Sequence, residues 1–123
     1  MKKLFLVCLM MIAGSAWAEW VMFTKNEEVT FYFDPARIRK DGNLRRNWEL
    51  LDFRKRRAEG EMSRRVRREY DCKQERYRFL AVSLHSEPMA GGTILFSIDE
   101  ENNWRAIAPG TFDETIFNIV CAK

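Results

Sequence analysis

Apolar residues recur at every second position over most of the chain, and the period changes only near the C-terminus. Alternation of this kind marks strands with one buried face. Trp20 to Thr24 and Val29 to Phe33 are short runs rich in β-branched and aromatic residues, and the intervening Lys25-Asn26-Glu27-Glu28 predicts a hairpin. Asp34-Pro35 ends the second run, because proline has no amide to give to a ladder. Asp41-Gly42-Asn43 predicts a turn, with glycine free to adopt a positive φ. Beyond it Leu44, Arg46, Trp48, Leu50 and Asp52 alternate with Arg45, Asn47, Glu49, Leu51 and Phe53, which predicts a long strand with one mostly apolar face.

Arg54 to Ser63 is polar, contains Gly60 and predicts a loop. In the strand after it, Val66, Tyr70 and Cys72 mark the inward side, with Arg65, Arg67, Glu69 and Asp71 outward. Arg76 to Ser86 predicts another strand, Pro88 to Gly92 a turn, Thr93 to Ile98 a strand, and Trp104 to Ile107 a last short one after the polar loop Asp99 to Asn103. The period then lengthens. Thr111-Phe112-Asp113-Glu114 fits a capping box, and Phe112, Ile116, Ile119 and Val120 fall on one helical face, with Phe117 and Cys121 beside it. A helix of about ten residues is marginal by itself and needs a surface to pack on. The expected class is α+β: an antiparallel sheet of about six strands with one C-terminal helix packed on a face and tethered by a disulfide.

The N-terminus changes what the composition means. Residues 1–18 combine Lys2 and Lys3, the apolar run Leu4 to Ala13, and Ala16-Trp17-Ala18, the form of a secretory signal peptide. The apolar run is short of the roughly 20 residues that span a bilayer. Cys8 follows Val7 and lies close to Met1, which does not fit a lipid-anchor cysteine. Cleavage after Ala18 would leave 105 of the 123 residues as a single domain, 19–123, in the periplasm or at the outer-membrane surface and without a transmembrane segment. Of three cysteines, Cys72 and Cys121 would remain, and two cysteines in a small exported domain predict one disulfide.

Candidate chemistry is sparse. His85 is the only histidine, so a metal site with two imidazoles is excluded, and a strand-end histidine suits a structural role. No phosphate-cradling glycine loop occurs, and Asp99-Glu100-Glu101-Asn102-Asn103 lacks the ligand spacing of a calcium loop. The expectation is no catalytic residue, no metal and no cofactor. Trp20, Trp48 and Trp104 are expected to pack in the core or on the sheet rather than to stack on sugars.

Charge is the informative feature. The formal net of +3 conceals a segregated distribution: residues 37–78 hold sixteen Lys or Arg against eight Asp or Glu, while the segments on both sides are acidic. Arg54, Lys55, Arg56 and Arg57 form one cluster, and Arg64, Arg65, Arg67 and Arg68 a second. Pairing of 44–55 with 64–73 would bring both to one end of a hairpin, a patch suited to bidentate contacts with carboxylate, sulfate or phosphate. A solvated hairpin protected from edge pairing by its charges is the alternative. An exported, disulfide-bonded chain meets little nucleic acid, and no aromatic–basic platform for single strands is present. An acidic protein or polyanionic surface fits better.

The chain resembles the surface-adhesin protein E-like family of Gram-negative bacteria. The resemblance rests on Tyr32-Phe33-Asp34, Ile38-Arg39-Lys40-Asp41-Gly42-Asn43, Trp48-Glu49-Leu50-Leu51-Asp52, Glu69-Tyr70-Asp71-Cys72, Met89-Ala90-Gly91-Gly92, Trp104-Arg105-Ala106-Ile107, Pro109-Gly110-Thr111 and Val120-Cys121. It implies an antiparallel sheet with a C-terminal helix tethered through Cys72 and Cys121, binding of host matrix and serum proteins, and dimerisation. It also leaves open a periplasmic accessory role in envelope or pilus assembly.

Overall fold

Residues 19–122 are described by a computed structural model, and the expected signal peptide at 1–18 lies outside them. The first hairpin joins β1 (Val21–Lys25) to β2 (Val29–Phe33), and the Asn26 carboxamide accepts from the amides of Glu28 and Val29 at 2.8 and 2.9 Å to shape its turn. A 3-10 turn, Pro35–Arg37, follows, capped by the buried Asp34. Then come β3 (Arg39–Asp41), β4 (Leu44–Phe53), β5 (Ser63–Asp71), β6 (Arg76–Glu87), β7 (Gly91–Ile98), β8 (Arg105–Ala106) and the helix α1 (Phe112–Val120).

All neighbours are antiparallel, in the order β1-β2-β4-β5-β6-β7. The two short strands extend existing positions: β3 pairs with the start of β4 beyond the reach of β2, and β8 pairs with the start of β6. The sheet is therefore six strands wide, and β3 was not expected from the sequence because it is three polar residues long.

One face carries the helix. Phe33, Tyr70 and Tyr77 pack there against Ile116, Phe117 and Val120, and Val29, Phe31 and Phe53 continue the apolar layer, with Phe23 touching both groups. The inward side of α1 is rotated from the expected stripe, since Phe117 is buried with Ile116 and Val120 while Ile119 is partly exposed and Phe112, also partly exposed, stacks on Phe31 at 4.5 Å. Two long-range contacts set that rotation: Asp113 meets Arg68 in the first turn, and Cys121 bonds to Cys72 at the end. The Cys72–Cys121 Cα separation of 5.7 Å is within the usual disulfide range. Thr111 caps the helix by accepting from the Glu114 amide at 3.4 Å, and the Glu114 carboxylate accepts from Gly110.

The opposite, back face is a lattice of charges. Register places Arg46, Glu69 and Arg78 side by side on β4, β5 and β6. Glu69 takes Arg46 at 2.8 Å and Arg78 at 2.7 Å, and is itself buried. Glu69 and Asp71, expected outward, do lie on that face but out of solvent, because neighbouring arginines cover them. Leu50 is also fully buried there. Trp48 lies under Arg65 at 4.8 Å and Arg67 at 5.7 Å, and Trp104 between Arg76 and Arg78, each at 4.5 Å. The tryptophans are thus roofed by guanidinium groups.

Candidate functional site

The eight basic residues of the hairpin divide among three environments, because β-strand side chains alternate between faces. Arg54, Lys55, Arg56 and Arg57 lie beyond β4 in the exposed tip loop. Arg57 rests on the Phe53 ring at 4.8 Å. Arg56 donates to the carbonyls of Gly60 and Ser86 at 2.9 and 2.8 Å, which ties the loop to β6. These four side chains border a shallow depression of about 690 Å³ that Glu27, Glu28 and Glu59 also line. Carboxylates from the first hairpin therefore offset part of the tip charge.

Arg65 and Arg67 lie on the back face over Trp48. Arg64 is half-buried and pairs at 2.7 Å with Glu61, which is fully buried. Arg68 departs most from the expected patch. It is 2% exposed and faces the helix, on the same side of β5 as Val66 and Tyr70. Its Nε donates to Glu49 at 3.0 Å and its Nη1 to Asp113 at 2.7 Å, while its guanidinium also lies 4.7 Å from the Tyr77 ring centre. Burial, the largest single influence, works against the charge on Arg68, but the Glu49 carboxylate, Tyr70 and Asp113 together outweigh it and raise the Arg68 pKa. The Tyr70 hydroxyl donates to the same carboxylate, and burial followed by the Glu49 charge pushes Tyr70 well above the ordinary phenol value. This cluster anchors the helix to the sheet rather than facing solvent.

A groove of about 440 Å³ runs beside the cluster on the helix-bearing face, floored by Leu51, Val66, Phe79 and Val82 and walled by Ile98 and Phe112. It is apolar at its base with Arg64 and Arg105 at its margin. Among the described residues no group of His, Cys, Asp and Glu is placed to hold a metal. His85 is buried and shares a 2.8 Å hydrogen bond with Ser83, two positions away on β6. Burial, and then the neighbouring charge of Arg65, lower its pKa and favour the neutral ring. Neither side chain borders the groove or the tip depression. Among the described residues no helix is long and apolar enough to cross a membrane.

Sequence reasoning passed over a third basic surface. Arg37, Arg39 and Lys40 border a pocket with Arg46, Trp48 and Arg67, in which Arg39, Arg46, Trp48 and Arg67 share the back face. The run Arg37-Ile38-Arg39-Lys40 was a visible signal, but only strand register joins it to Arg46.

No curated protein sequence matches the chain. Solved structures do match in fold. Protein E of Haemophilus influenzae, in its second crystal form, aligns with a TM-score of 0.67 at 14% identity, covering 88% of this chain and 91% of that one. Its selenomethionine form aligns at 0.66 and 13% identity over 88% and 89%. Protein E from non-typeable Haemophilus influenzae aligns at 0.60 and 15% over 89% and 79%. At such identities the likeness speaks for the fold alone. The family model for surface-adhesin protein E, however, matches residues 20–122, so the chain belongs to the surface-adhesin protein E family.

Proposed function

We propose that this is a non-enzymatic, exported binding protein of the adhesin type. It contacts an acidic macromolecular partner, either a host matrix or serum protein or an envelope component, through the tip of the β4–β5 hairpin. The observation that supports this reading is the exposed loop carrying Arg54, Lys55, Arg56 and Arg57 on a hairpin whose stem is braced by buried ion pairs. Arg64, Arg65 and Arg67 support that tip from the stem, and Arg68 belongs to the helix anchor. A rigid stem lowers the entropy lost when a charged loop engages a partner.

The test is charge reversal at Arg54, Lys55 and Arg57, which spares the tie made by Arg56. Pull-down from envelope and matrix extracts should weaken severalfold and lose most of its salt dependence. Retention of both would remove the tip from the binding surface. Protease access on intact cells would accompany an adhesin at the surface.

A second reading, a periplasmic accessory factor acting through a sheet edge, is favoured by one feature. Strand β7 is an edge of the sheet and exposes Ile94, Leu95, Phe96 and Ile98. An open apolar edge is suited to pairing with an added strand. Release of the protein by osmotic shock, with no surface accessibility, would support this role over adhesion.

A further inference from the structure

We infer that the back-face pocket beside Trp48 is a binding site for a phosphomonoester group. The pocket has a volume of about 590 Å³ and is bordered by Arg37, Arg39, Lys40, Arg46, Trp48 and Arg67. Arg39, Arg46 and Arg67 share this face by register, Arg37 borders it from the 3-10 turn and Lys40 from β3, and among the described residues no carboxylate lines the space. Register builds it: Arg39 lies across from Arg46, and Trp48 across from Arg67.

The nearby acids hold the cations in place from outside the pocket. Arg37 is paired with Asp34 at 3.4 Å, and Arg46 with Glu69 at 2.8 Å and more distantly with Asp41 at 3.8 Å. Asp34 and Glu69 are both buried, and Glu69 is shared with Arg78. Arg39, Lys40 and Arg67 have no ion-pair partner among the described residues. The pocket thus combines two guanidinium groups oriented by carboxylates with the uncompensated guanidinium groups of Arg39 and Arg67, and Lys40 adds a further positive charge at its border. The hairpin tip lacks this separation, because its depression includes Glu27, Glu28 and Glu59.

That arrangement selects for charge density. A phosphomonoester carries about −1.5 to −2 at neutral pH and three acceptor oxygens, which suits planar guanidinium donors. A carboxylate or sulfate ester carries a single charge and leaves more of the pocket uncompensated. The space exceeds a phosphate group and accommodates the sugar or glycerol that bears it. Arg65 and Arg67 already lie over Trp48, so the indole serves as a wall and a rest for Arg67. The pocket is also separate from the hairpin tip: Arg46 and Phe53 are seven residues apart on β4, roughly 23 Å at about 3.3 Å per residue.

Calorimetric titration of the purified full chain at low salt tests the site with glucose 6-phosphate, glucose 6-sulfate and glucose. Glucose 6-phosphate should bind at least tenfold tighter than the sulfate ester, with no heat from glucose. An Arg39→Gln/Lys40→Gln variant alters two exposed side chains, and it should weaken the phosphate ester by tenfold or more while its thermal midpoint stays unchanged. Arg54→Gln/Lys55→Gln/Arg57→Gln should bind it as the parent does, which separates this site from the tip. Phosphatidylcholine vesicles with and without phosphatidic acid identify the source. Binding only to the acid-containing vesicles, lost in the Arg39/Lys40 variant, assigns a lipid headgroup, whereas binding of the sugar phosphate alone assigns a soluble or glycan-borne ester. The site is overturned if neither probe binds, if sulfate and phosphate esters bind equally, or if the tip variant loses binding as the pocket variant does.

Discussion

Arg68 on β5 and Asp113 in the first turn of α1 meet at 2.7 Å across 45 positions of sequence. The pair works with the Cys72–Cys121 bond at the other end of the helix, so that one polar and one covalent contact determine which side of α1 faces the sheet. Replacing Arg68 by Ala leaves Glu49 facing the core without its counterion. Loss of one partner of a buried pair is expected to destabilise by about 3–5 kcal/mol. Urea unfolding should show it. Asp113→Asn should lose less, and the double variant should show coupling between the two positions. A loss under about 1 kcal/mol for Arg68→Ala would place the pair in the class of weak surface bridges.

The disulfide closes a loop of 49 positions. Replacing both Cys72 and Cys121 by Ser is expected to remove about 4 kcal/mol in the chain-entropy account. The helix should respond before the sheet, since nine residues do not sustain helix without tertiary support. Hydrogen exchange would report this as early loss of protection in α1, with β4 to β6 retained. Uniform loss of protection would show that sheet and helix unfold together.

His85 provides a pH signature. Its pKa is lowered from 6.5 by burial and by Arg65, so the folded state binds its proton more weakly than the unfolded state does. The sign follows by linkage: this contribution is fully present above pH 6.5 and is lost as the pH falls toward the folded-state value. Stability measured from pH 7.5 to 5 should decline in the parent, and His85→Gln should flatten that part of the slope. An unchanged slope would assign the acid sensitivity to other groups.

The turn between β6 and β7 stores local strain. Met89 and Ala90 adopt φ of 57° and 60°, a region that L-residues with a Cβ occupy at a penalty. The turn is held by Asp52 and Ser63, whose side-chain oxygens accept from the Met89 and Ala90 amides, both at 2.9 Å. Ala90→Gly relieves the backbone while adding entropy to the unfolded chain, and should stabilise by up to about 1 kcal/mol. A thermal midpoint below that of the parent would contradict the strain.

Much of the architecture was legible in residue patterns. Alternation marked the strands from Val29 to Ile98, the Thr111–Glu114 signature marked the helix start, and the fold is the expected antiparallel sheet with a disulfide-tethered helix. The short β3 escaped notice because Arg39-Lys40-Asp41 has no apolar residue to show a period. The basic hairpin was visible as composition, yet its arginines do not share one surface. The clue to Arg68 was its parity with Val66 and Tyr70, which a count of charges does not register.

The sequence by itself determined which segments form strands and helix, because apolar period, capping and turn chemistry act between near neighbours. The tertiary structure alone decided which charges are free. Whether an arginine meets Glu49, Glu69, Asp113 or solvent depends on strand register and on the face the helix covers. Ion pairing follows distance in space, and a strand pattern determines faces only up to the choice of which one is buried.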